Sequence, residues 1–182
     1  MGTIKTTNIE PIADNGTVTL GSSGDQFTLA TGAKASFLYP AFEAYSNSSQ
    51  SLTDNTYAKV ALQTEAFDTN SNFDNSSNYR FTPTVAGKYY IEGQVFGRGS
   101  SASTCRTVYV SIYKNGSQYK ESRIDFDSND AQRSTLNVSA VIDMNGSSDY
   151  VELYAAVNIS SGSASLQENT KSNYFLGYRL GT

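Results

Sequence analysis

Proton transfer near neutral pH and most nucleophilic catalysis rest on histidine or cysteine, and this 182-residue sequence has no histidine and one cysteine, Cys105. That excludes Ser-His-Asp and Cys-His catalysis and an ordinary zinc site built within one chain. Carboxylates remain. The run Asp125-Phe126-Asp127-Ser128-Asn129-Asp130, or Glu65 with Asp68, could supply the acid pair that glycoside hydrolysis requires. Both groups lie in Asp/Asn/Ser-rich stretches of the kind that cap solvated turns, so no catalytic residue is assigned and a non-enzymatic protein is expected. Asp68-x-Asn70-x-Asn72 and Asp125-x-Asp127-x-Asn129 begin like calcium loops, but Phe73 and Asp130 stand where such a loop needs glycine. Tyr79 and Leu136 stand where it needs the bidentate glutamate. No cofactor is expected; calcium is left open, with no metal ligand assigned. Cys105, just before an alternating strand, is expected to be a small, partly buried residue and not a reactive thiol.

Charge narrows the partners. Thirteen Lys and Arg against 17 Asp and Glu give a net charge of -4, so the basic footprint of a nucleic-acid binder is missing. Mean hydropathy is -0.41, and no run of about 18 apolar residues suggests membrane insertion. The opening Met1-Gly-Thr-Ile-Lys-Thr6 has no apolar core of a secretory signal, so no cleavable signal is visible.

The elements that must position these residues are strands. Thirteen Tyr and nine Phe against two Met and three Pro suit many short strands joined by tight turns. Val108, Val110 and Ile112 alternate with Tyr109, Ser111 and Tyr113; Val151, Leu153, Ala155 and Val157 alternate with Tyr150, Glu152, Tyr154 and Asn158. The same period runs through Leu136–Ile142, Ala58–Leu62, Tyr89–Val95 and the set Leu176, Tyr178 and Leu180. Asn115-Gly116 suits a type I' hairpin turn, Asn145-Gly146 repeats the signal, and Pro83 to Gly87 is another turn. An antiparallel sandwich follows. The first 36 residues differ, because Thr17–Leu20 and Gln26–Leu29 are alternating pieces too short to bury a face alone. The chain is therefore expected to divide into residues 1–36, read as an N-terminal β stem in which copies wind together, with a disordered or edge-pairing tail as the alternative, and a knob over residues 37–182.

Within the knob several motifs fall in a telling order. They are Ala41-Phe42-x-Ala44; Phe67-Asp68 then Phe73-Asp74; Tyr79-Arg-Phe-Thr-Pro83 with Ala86-Gly-Lys-Tyr-Tyr90; Lys114-Asn115-Gly116; Asp149-Tyr-Val-Glu-Leu-Tyr154; and Tyr174-Phe-Leu-Gly-Tyr178-x-Leu180. This order resembles the globular head of complement C-one-q, the all-β antiparallel jelly roll shared with tumour-necrosis-factor-like proteins. The N-terminal Ile4–Ile9 and Gly16–Asp25 resemble stem segments of tailed-phage fibre and virion-surface proteins. The resemblances imply a homotrimer and a bacteriophage virion structural protein, which would be assembled in the host cytoplasm and so carry no secretory signal. Its first expected role is a tail fibre whose knob binds a host receptor, with residues 1–36 holding it to other virion proteins. The alternative is a capsid cement, decoration or head-fibre protein.

Strands that cross a sandwich carry successive loops to alternate ends. With both termini at the base, as the resemblance implies, residues 97–104, 125–133 and 160–172 fall at the apex, and 114–117 and 143–148 at the base. The apical loops carry Arg98, Asp127, Asn129, Asp130, Arg133, Glu168, Asn169 and Lys171, a polar set suited to a host cell-surface polysaccharide or protein. Tyr109, Tyr113, Tyr150 and Tyr154, opposite the aliphatic faces, are expected to line the threefold contact, where amphipathic rings are enriched.

Overall fold

The computed structural model describes Thr31 and residues 39–181 other than 127 and 169. The stem expected over residues 1–36 otherwise lies outside the described residues. The described residues form 13 strands in two antiparallel sheets and no helix. The front sheet holds β1 (Ala41–Tyr45), β2 (Gln50–Leu52), β4 (Thr64–Asp68), β7 (Gly87–Gly99), β10 (Arg133–Met144), β12 (Ala164–Leu166) and β13 (Tyr174–Gly181). The back sheet holds β3 (Ala58–Lys59), β5 (Phe73–Asp74), β6 (Arg80–Phe81), β8 (Cys105–Lys114), β9 (Ser117–Asp125) and β11 (Val151–Ile159). Strand β7 organises the front sheet. Along one side it pairs with β10 from end to end; along the other it pairs with β13 over Lys88–Gln94 and with β12 over Gly97–Gly99.

Alternation sets the core. Val108, Val110 and Ile112 of β8 stand opposite Val157, Ala155 and Leu153 of β11, all fully buried against Ile91, Val95 and Ile142 of the front sheet. The lower half of the core is aromatic: Phe42 stacks on Phe73 and Phe81 at 5.1 and 4.3 Å and meets Phe175 edge-on at 5.4 Å. Such offset and edge contacts add to simple area burial. In the upper half the sheets close in on Gly97, where an added Cβ would lie 2.8 Å from both methyls of Val108.

Two expectations change. The Asn115-Gly116 pair does make the two-residue turn from β8 to β9, with both residues at positive φ, 52° and 78°. Asn145-Gly146 does not repeat it, because β10 and β11 belong to different sheets and the intervening chain must cross between them. There the Asn145 side-chain oxygen instead accepts the backbone N–H groups of Ser147, Ser148 and Asp149. Leu176, Tyr178 and Leu180 keep their period but point away from the core, while Phe175 and Gly177 point into it. Val60 and Leu62 are fully buried, yet of that stretch only Ala58–Lys59 joins a ladder.

Candidate functional site

Three connections meet at one end of the sandwich. Residues 100–104 follow β7, 126–132 join β9 to β10, and 160–173 lead through β12 to β13. Backbone hydrogen bonds sew them together: Gly99 N–H to the Gln132 carbonyl at 2.9 Å, Ser100 N–H to Ser163 at 2.9 Å, and Ser160 N–H to Thr104 at 2.8 Å. At the opposite end lie the Asn115-Gly116 turn, the 145–150 crossing and the start of β7, with Lys114 bound to Asp149 at 2.9 Å. Both ends of the described body leave there too, since Pro40 accepts the Arg179 N–H and Lys88 pairs with Gly181.

The apical residues form three groups. Asn129 and Asp130 line an open depression of about 650 Å³ with Ser103, Arg106 and Ser128, and the Arg106 Nε lies 3.6 Å from an Asp130 carboxylate oxygen. Beneath it Cys105 is wholly buried, and burial together with the Asp130 charge pushes its thiol pKa up to about 11. A thiol so protonated is a poor nucleophile. Arg98 and Arg133 form a second group, as direct cross-strand partners on β7 and β10. The third is Glu168 and Lys171: the Lys171 N–H donates to Glu168 at 2.7 Å, and its ammonium turns to the Tyr45 ring at 4.5 Å, with Glu43 at 4.0 Å. Asp127 and Asn169 lie outside the described residues. Arg106 was not singled out from the sequence, although it holds the first outward position of β8 beside two apical loops.

The tyrosines lie on the outer face of the back sheet. Tyr113 stacks on Tyr154 at 4.0 Å, and Tyr57, from the turn before β3, covers Tyr109 and Tyr113 at 5.8 and 6.4 Å. Tyr57 also donates to Glu121, so burial first and then the carboxylate hold its hydroxyl proton firmly. Tyr150 stands apart under the Arg80 guanidinium, 4.5 Å from its ring centre. Tyr57 was missed because it lies outside any alternating run.

The outer face of the front sheet was missed as well, and it is the more apolar one. Register places Val141, Tyr90, Tyr178 and Ala41 in one row across β10, β7, β13 and β1. The next row reads Ser139, Glu92, Leu176, Glu43 and Phe67. Four of the six large exposed hydrophobic side chains among the described residues, Phe67, Val141, Tyr178 and Leu180, belong to this face. Glu92 at its centre accepts the hydroxyls of Tyr90 and Tyr174 at 2.6 and 2.8 Å, and burial with that bond raises the Tyr174 pKa to about 12. No group of three or more metal-ligating side chains occurs among the described residues.

No protein-family description matches the chain, and no curated protein does. Solved structures do. The globular domain of zebrafish complement 1qA protein is 14% identical, covers 78% of this chain and 97% of its own, and superposes with a TM-score of 0.56. Eiger TNF from S. frugiperda is 11% identical, with 80% and 93% covered and a TM-score of 0.55. Murine APRIL at pH 5.0 is 11% identical, with 78% and 99% covered and a TM-score of 0.54. At such identities the likeness is one of fold, and in that sense the described body is an antiparallel jelly roll of the complement C-one-q and tumour-necrosis-factor type.

Proposed function

We propose that the chain is a non-enzymatic structural protein of a bacteriophage virion, a homotrimeric knob that binds the host surface through its apical loops, as a tail fibre does. The observation that carries this reading is the polarity of the body. Three polar loops gather at one end, while both ends of the described body lie at the other, so one pole is free to meet a ligand and the other to join the virion. The jelly-roll likeness supports self-association, and exposed apolar surface gathered on one face is typical of a subunit contact. The front sheet's outer face, with Tyr178, Val141 and Phe67, is therefore the first choice for that contact. The back-sheet cluster of Tyr109, Tyr113 and Tyr154, with Tyr150 beside it, is the second.

Substituting Arg98, Asp130, Arg133 and Lys171 together tests the apical role, with removal of residues 1–36 as its counterpart. The expected result is lost adsorption to host cells from the first and lost incorporation into particles from the second. A capsid cement, decoration or head-fibre role is favoured by how closely the apical loops bond to one another. It replaces the receptor reading if the fourfold variant adsorbs normally while the truncated chain no longer joins particles.

A further inference from the structure

We propose that Arg98 and Arg133 form a cradle at the apical edge of the front sheet that receives an anionic group, a carboxylate or a phosphate, carried on a cell-surface polymer. The inference rests on the apical-binding reading and gives it a ligand chemistry. Residues directly opposite in a ladder share a face, and Gly97 beside Arg98 faces the interior, so both guanidinium-bearing side chains rise from the outer face. Like charges so placed repel, and a fold tolerates the pair more readily when an anion joins it. Among the described residues no carboxylate lies within ion-pair distance of either arginine.

Among the described residues, three carboxylates of this part of the body are engaged elsewhere. Asp130 faces Arg106, Glu168 accepts the Lys171 N–H and the Asn173 amide, and Asp54 accepts the Ile159 N–H. Arg98 donates from Nη1 to the Gln167 side-chain oxygen at 3.3 Å, but its Nε is buried with no acceptor. Buried donors without partners are rare, and a guanidinium fork is shaped for two oxygens of one anion. Arg133 sits at the edge strand with its guanidinium 6.0 Å from the Phe96 ring centre. From Arg98 the same row continues to Ser165 of β12 and Ser51 of β2, two hydroxyls able to meet the remaining oxygens or a neighbouring sugar. The row stands eight residues along β7 from Tyr90, roughly 26 Å at strand rise, so a subunit contact centred on the Tyr90 row leaves it open.

Titration calorimetry on the full-length protein tests the cradle with three oligomers of matched length: a glucuronic-acid oligosaccharide, a glycerol-phosphate oligomer and a neutral glucose oligosaccharide. At least one acidic oligomer should bind, more weakly as salt rises, and the neutral one should not. Which acidic oligomer binds separates carboxylate from phosphate recognition. Arg98→Gln and Arg133→Gln should each weaken binding about tenfold, and Arg98→Lys should restore only part, because an ammonium keeps the charge without the fork. Arg133, exposed on an edge strand, gives the variant least able to disturb folding. Failure of both acidic oligomers to bind overturns the proposal, as does binding indifferent to these substitutions. So does a change in assembled mass in the variants, which would give the arginines an acid from a second copy. Lost adsorption in the fourfold apical variant without any acidic-oligomer binding overturns the anion chemistry alone. Acidic-oligomer binding with normal adsorption supports the cradle and removes the receptor role.

Discussion

Asp149 ties the lower end of the body together. Its carboxylate accepts the Asn115 amide at 2.8 Å, the Lys114 ammonium at 2.9 Å and the Asn145 N–H at 3.0 Å, which joins the β8–β9 turn to the crossing that precedes β11. The Asn115 and Lys114 bonds, foremost, hold its pKa below the ordinary carboxylate value. A lowered folded-state pKa contributes stability above the unfolded value, near 4, that disappears as pH falls through the folded one. Asp149→Asn should therefore cost about 1–2 kcal/mol at pH 7, and the gap between the two melting temperatures should close below about pH 4. A gap that persists in acid would assign the loss to packing. The turn itself was legible, since Asn-Gly has few other uses between alternating runs. Its partner was not, because Asp149 lies 34 residues from Asn115 and only the fold brings them together. The buried thiol of Cys105 belongs to the same scale: it should resist a thiol reagent until the protein unfolds.

Long strands with one buried face announced themselves because period two needs several repeats to be seen, whereas β9, nine residues long and mostly exposed, did not. Strands β7, β8, β10 and β11 run 13, 10, 12 and 9 residues; β5 and β6 have two each and β2 and β12 three, too few to show any period, while the two residues of β3 open the longer alternating run Ala58–Leu62. Which face of a strand turns inward is harder to read when both sets hold large side chains. In β13 Phe175 alternates with Leu176 and Tyr178, and the core receives Phe175 because Phe42 offers it a ring. Glycine resolves the same ambiguity in β7. Gly97 faces the stiff, β-branched Val108 and Val157, so Gly97→Ala should destabilise by about 1–3 kcal/mol in denaturant unfolding, with part of the loss recovered when Val108→Ala is added. Additive losses would mean that the two sheets do not meet there.

For the whole molecule, the two outer faces make different predictions about assembly. Tyr178 is 46% exposed within the apolar row of the front sheet, whereas Tyr113 is already stacked on Tyr154 and covered by Tyr57. Tyr178→Asp should convert a species of three times 19.7 kDa into a monomer in analytical ultracentrifugation, while Tyr113→Ala should leave the mass unchanged. The reverse pattern would move the contact to the back sheet. The jelly roll and the gathering of three polar loops at one end were legible from strand count and motif order. The apolar face was not, because Val141, Tyr90, Tyr178 and Phe67 come from four strands scattered over more than a hundred positions and meet only through register.

The placement of both ends of the described body opposite the polar loops also decides how it bears tension. Strand β1 enters at Ala41 and runs towards the loops between β13 and β4, bonded on both sides. A pull between the loops and the N-terminal end of β1 acts along the strands, perpendicular to the ladder bonds. The bonds are then loaded together in shear and do not open one after another like a zipper, so the body is mechanically toughest along the line from the polar loops to the start of β1.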